Sequence, residues 1–258
     1  MIVNFHIGAP RIGEELLRAV SAAASLSSHP ELLVLSQDTY REFFRSLINS
    51  RESVRSKKDQ WQAAEEKIQS LTKFSTIAIS QHAALGEHSD LIFSERGIER
   101  AIERLATLSS IFERNTLRLI FTITSQVEYL NWTLGPDARA AIAAGRTISW
   151  SNLLRRLKVA VPHRQFVVWD FERPQNVALA FVAEMLGTHN REFLTDAREM
   201  IRGNRSYKDY MNMHCSLEDI DDSLARLDDQ YDTDLDAISK MDGVTLIRSD
   251  EVPSEFRL

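Results

Sequence analysis

The first twenty residues, MIVNFHIGAPRIGEELLRAV, restrict the fold more than any other stretch of the chain. An apolar run from Ile2 to Ile7 stops at Gly8, the tight loop GAPRIG follows, and a helical pattern opens at Glu14 with Leu16, Leu17 and Val20 on one face. Strand, glycine loop and helix form the frame in which backbone N–H groups and the positive end of a helix converge on an anion. The frame predicts a buried strand that runs straight into a helix. Here the loop ends in two carboxylates, Glu14 and Glu15, where an anion would have to sit.

The same alternation continues downstream. Leu32 to Leu35 is a short apolar run, and Asp38 is placed to cap a helix from Thr39 to Asn49. The segment SRESVRSKKD is a solvated polar stretch, and Trp61, Ala64, Ile68 and Leu71 then mark a helix over 58–72. STIAI (75–79) reads as a strand, Leu91 to Phe93 as a short extended piece, and Ser94 as the N-cap of a long helix to about Phe112. LRLIFTIT (117–124) is the clearest strand, rich in branched and aromatic residues. Helices are expected at 126–134, from an Asp137 cap to Ala144, and at 149–159, followed by a strand at 166–171 and a helix at 175–186 closed by Gly187. Leu217 to Met241 reads as a long acidic helix with Leu224, Leu227, Tyr231, Leu235 and Ile238 inward, and Val244 to Ile247 as a last edge strand. Strands alternating with helices argue for a mainly parallel sheet covered on both faces. One α/β domain over 1–258, with helical insertions, is the expected architecture.

Composition narrows the function classes. The 258 residues are 43% hydrophobic and 26% charged, with a net charge of −6, so no basic bias favours nucleic acid or an acidic membrane. No apolar stretch approaches the ~20 residues of a membrane span. Cys215 is the only cysteine, which excludes an intrachain disulfide and a cysteine-rich metal site. A cytoplasmic protein is the expectation. The spacing of His82, His88 and Asp90 fits no defined zinc pattern, and no metal is expected. GAPRIG lacks the Gly-Lys-Ser/Thr ending of a Walker A loop.

Several segments together resemble the bacterial branch of the sulfotransferase family. FHIGAPRIGEELL resembles the family's opening motif, His-Ile-Gly-x-Pro-Lys-Thr-Gly-Thr-Thr, and STIAISQH resembles the strand that ends in Ser-Ser-Glu. LRLIFTITSQVEYLNWTL resembles the strand and helix that hold the nucleotide's 3′-phosphate, ISWSNLLRRLKVAVPHRQFVVWDFE resembles the later helix and strand, and YDTDLDAISKMDGVTLI resembles the closing segment. The resemblance covers most of the chain. It implies a P-loop NTPase-like (sulfotransferase-like) fold and 3′-phosphoadenosine 5′-phosphosulfate (PAPS) as cofactor. The implied reaction is transfer of a sulfonate to a hydroxyl or amine of a carbohydrate or small-molecule acceptor.

Carried over residue by residue, the resemblance implies Gly8, Ala9, Pro10, Arg11, Gly13 and Gln126 as cofactor-binding residues. Arg11, at the family lysine, would stabilise the transferring sulfonate, and His82 would deprotonate the acceptor as general base. The same alignment puts Ile12, Glu14 and Glu15 at the three family threonines, Thr124 or an adjacent position at the family arginine for the 3′-phosphate, with no basic residue from Leu119 to Leu134, and Trp132 at the serine of the following helix. The alternative is a non-catalytic sulfotransferase-like binding or assembly protein with a degenerate PAPS site. Two further residues carry plain structural readings. His6 packs or hydrogen-bonds in the core, and Glu172 is either a ligand-edge carboxylate or a helix-start acid before Pro174.

Overall fold

The computed structural model describes residues 1–8, 12–21, 29–49, 58–81, 84–86, 88–205, 207–208 and 222–258. Among the described residues six strands form one sheet: β1 (Ile2–Gly8), β2 (Leu32–Val34), β3 (Thr76–Ser80), β4 (Thr116–Ile123), β5 (Gln165–Asp170) and β6 (Val244–Ile247). All pairings are parallel, in the order β2-β3-β1-β4-β5-β6. The expected α/β class with a mainly parallel, helix-flanked sheet is therefore correct. The helices are α1 (Ile12–Val20), α2 (Gln37–Tyr40), α3 (Ser46–Asn49), α4 (Lys58–Ser70), α5 (His88–Phe93), α6 (Glu95–Ile111), α7 (Gln126–Leu134), α8 (Ala138–Ala143), α9 (Trp150–Ala160), α10 (Pro174–Leu186), α11 (Arg191–Gly203) and α12 (Asp222–Ser239). A π-helical turn, Arg41–Arg45, joins α2 to α3.

The period-two alternation of a strand sorts its side chains between two layers. Val3, Phe5 and Ile7 of β1 enter one apolar layer, with Ile77, Ile79, Leu119, Phe121, Phe166 and Val168. The π-helical turn and helices α3, α4, α6, α9 and α12 cover that layer, with Phe44, Leu47, Ala64, Ile68, Leu105, Leu154 and Leu235 facing in. On the other face Ala78, Ile120, Val167 and Trp169 meet α1, α10 and α11. Fully burying each large side chain contributes about 1.5–3 kcal/mol. Helix α10 is apolar nearly all round because it is enclosed by the sheet, α1 and α11.

Asn4, His6 and Thr122 lie inside the sheet on that second face and have defined partners. Asn4 donates through Nδ2 to the carbonyls of Glu184 and Met185, at 3.2 and 2.8 Å, so a side chain of β1 satisfies the last turn of α10. Gly187 then closes α10 in the left-handed conformation, as the sequence predicts. On the opposite layer the guanidinium of buried Arg164 donates to Ser109 Oγ and to the carbonyls of Ser109, Phe112 and Asn115, gathering the end of α6.

Four local expectations change. Residues 91–93 are helical in α5, where an extended piece is predicted. Leu91 is buried there, and Gly97 lets α5 pack so tightly on α6 that a Cβ would stand 2.1 Å from the Asp90 carbonyl. The helical run at 37–49 begins before Asp38, because Ser36 Oγ, not the Asp38 carboxylate, accepts from the N–H of Thr39 at 3.2 Å. Asp137 makes no capping bond to α8 and sits in a 3₁₀ turn with Gly135 and Pro136. Helix α1 starts at Ile12, two residues before Glu14.

Candidate functional site

In an open parallel sheet the strand ends at the carboxyl edge frame the ligand crevice. Here that edge brings together Gly8 of β1, Ser80 of β3, Thr124 and Ser125 after β4, Asp170 of β5 and Glu172 beyond it. Gly8 is required at its position. Its φ is +126°, and an added Cβ would lie 2.5 Å from the Thr122 carbonyl of the neighbouring strand. The backbone of β1 thus turns into the loop while pressed against β4.

The residues assigned to the site from sequence divide sharply. Ala9, Pro10, Arg11 and His82 lie outside the described residues, as does the side chain of Glu14. Gly13 is in the first turn of α1. Glu15 is at the edge of that helix, and both its carboxylate oxygens accept from Arg18 at 3.2 Å, one turn away. Such a partly exposed pair contributes little to stability.

The end of β4 is closed by its own side chains. Thr124 is 1% exposed, donates its hydroxyl to the Glu128 carboxylate and accepts from Trp150 Nε1 through its carbonyl at 2.8 Å. Trp132 packs against the apolar layer, its ring 6.5 Å from Tyr129. A buried threonine bound to a carboxylate, with an indole one helix turn beyond that carboxylate, is a poor setting for a phosphate.

Gln126 is fully buried. Its Nε2 donates to Asp234 Oδ2 at 2.9 Å, while Oε1 has no hydrogen-bond partner among the described residues. Asp234 is the hub that the sequence reading misses. This buried carboxylate of α12 accepts from Gln126, from the N–H of Trp150 at 2.9 Å and of Ser151 at 3.2 Å, and from the hydroxyls of Ser149 and Ser151. It therefore caps α9 from another helix, where the helix dipole favours a negative charge. The signal was present: Asp234 lies three residues after Tyr231 and four before Ile238, on the inward stripe of α12.

A second buried carboxylate ties β5 to the same helix. Asp170 accepts from Tyr231 Oη at 2.7 Å, from the Glu172 N–H at 2.9 Å, and from the N–H and hydroxyl of Ser249 at 3.1 and 2.9 Å. Beside it, burial raises the pKa of Glu172, and the negative charges of Asp170, Asp232 and Asp228 add to the shift against the opposing pull of Arg173. The pKa of Asp228 is raised as well, by burial and then by Asp232 and Asp229. This end of the crevice is negative. Among the described residues no group of three or more His, Cys, Asp or Glu side chains is arranged to hold a metal ion.

His6 has the core role read from the sequence. It is fully buried, with Nδ1 2.7 Å from Ser80 Oγ, Nε2 2.9 Å from Thr122 Oγ1 and its ring edge-on to Phe181 at 5.1 Å.

No family model, no curated protein and no solved structure matches this chain. No helix among the described residues is long and apolar enough to cross a membrane.

Proposed function

We propose that the chain is a sulfotransferase-like protein that has given up PAPS and works as a binding or assembly protein, with the carboxyl-edge crevice open to a neutral or cationic carbohydrate or small molecule. One observation carries this reading. At the strand end where the resemblance expects an arginine for the 3′-phosphate, on Thr124 or an adjacent position, no residue from Leu119 to Leu134 is basic and buried Thr124 is hydrogen-bonded to the carboxylate of Glu128. The carboxyl groups of Glu172, Asp170, Asp228 and Asp232 cluster at this end, and their repulsion contributes, after burial, to the raised pKa values of Glu172 and Asp228. A unit charge about 4 Å from a like charge is opposed by about 4 kcal/mol at an effective dielectric of 20. That amounts to roughly three decades of affinity.

The glycine turn at Gly8 and the all-parallel sheet support the family part of the reading. The competing reading keeps the enzyme: PAPS on Gly8, Ala9, Pro10, Arg11, Gly13 and Gln126, sulfonate stabilised by Arg11, and His82 as base. Thermal melting with adenosine 3′,5′-bisphosphate separates the two. A ligand at about a hundred times its Kd stabilises the native state by about 2.7 kcal/mol. The binding reading expects an unchanged Tm at millimolar nucleotide, and a concentration-dependent rise would overturn it in favour of the enzyme.

A further inference from the structure

The second face of the sheet carries a hydrogen-bonded row that the binding reading does not use. Its register pairs His6 of β1 with Ser80 of β3, so their Cβ atoms are cross-strand neighbours. Thr122 stands on β4 opposite Gly8, two residues further along β1 on the same face. The imidazole lies between two hydroxyls, 2.7 Å from Ser80 Oγ and 2.9 Å from Thr122 Oγ1. A neutral imidazole offers one acceptor and one donor. With Ser80 donating to Nδ1, Nε2 carries the proton and donates to Thr122 Oγ1. That is the order of nucleophile, base and orienting group by which a weak hydroxyl nucleophile is activated.

Packing fixes this geometry. His6 is 0% exposed and is locked by Phe181, so its ring cannot swing away from Ser80. Ser80 is half-buried and is the last residue of β3, at the carboxyl edge where the crevice lies. Ser80 is the one member of this row that is not fully buried, and the base is held behind it, away from water.

We infer that Ser80 is an activated nucleophile that accepts an acyl group from an activated ester, with His6 as its base and Thr122 as the positioning residue. In the step, Ser80 Oγ bonds to the ester carbonyl carbon while its proton passes to His6 Nδ1. The bond from that carbon to the leaving oxygen then breaks, and the proton on Nδ1 goes to the leaving group. The products are an ester on Ser80 and a free alcohol or phenol. The inference goes beyond the binding reading and is independent of nucleotide affinity.

The test is p-nitrophenyl acetate mixed with the full chain. Release of p-nitrophenol is followed by absorbance, and the acetylated residue is located by peptide mass mapping. The expected result is a burst of one equivalent, with the acetyl group on Ser80. Ser80→Ala abolishes the burst while leaving the melting temperature near that of the unaltered chain. His6→Gln slows it by about a hundredfold or more, the usual contribution of a general base. Thr122→Val slows it and Thr122→Ser restores it, a pattern that packing alone would not give. Acetylation scattered over lysines, or a burst that survives Ser80→Ala, overturns the assignment. So does the absence of any burst from the folded chain, which stands even if the His6 variant fails to fold.

Discussion

At the scale of single residues, the polar groups inside this protein are explained by what they close off. Asn4 completes a helix end, Asp170 gathers the turn after β5, and Gly8 allows β1 to press on β4. Gly8→Ala forces a side chain into the Thr122 carbonyl at a positive φ. The expected loss is at least about 2 kcal/mol in urea unfolding, since left-handed strain and a backbone clash act together. Glu172 gives a pH-dependent prediction. Its proton affinity is higher folded than unfolded, so the native state holds the extra proton between the ordinary carboxylate range and the raised value. Stability from this group is present at acid pH and is lost as pH rises through that window. Glu172→Gln is therefore expected to stabilise the protein near neutrality and to change little at acid pH, as read by unfolding curves at both.

At the scale of elements, the sequence made the sheet legible and left its fastenings hidden. β1, β3, β4 and β5 are apolar runs with clear breaks, and the helices α6, α9 and α10 announce themselves through Ser94, Ser149 and Gly187. The hidden parts depend on partners far away in the chain. α5 looks extended in isolation because only three apolar residues mark it, and its helix is set by packing against Gly97. The spacing of Asp234 from Tyr231 and Ile238 marks it as inward, but nothing local shows that it receives five hydrogen bonds from α7 and the start of α9. Asp234→Ala leaves buried donors on two helices without a partner and is expected to cost about 3–5 kcal/mol. Asp234→Asn keeps the shape but faces donors with an amide, and should fall between the two in a denaturant titration. Of the candidate site, Gly8 and the burial of His6 could be read from the sequence. The Thr124–Glu128 contact could not, because a threonine ending a strand gives no sign of which neighbour its hydroxyl will find.

At the scale of the whole molecule, the frame and the chemistry diverge. The parallel order with β1 central puts the glycine turn at the crevice, which is where the resemblance expects a nucleotide. The side chains described there are a buried threonine on a carboxylate, a glutamine committed to Asp234 and a partly buried indole packed against the core. Fold and activity are separate here, since a fold of this kind supports many functions and the site decides among them. The measurement that tests this separation most directly is isothermal titration of PAPS into the intact chain. The account predicts no saturable heat up to millimolar PAPS and no sulfonate transfer to carbohydrate or amine acceptors. Stoichiometric binding in the micromolar range would contradict it and return the crevice to a working nucleotide site.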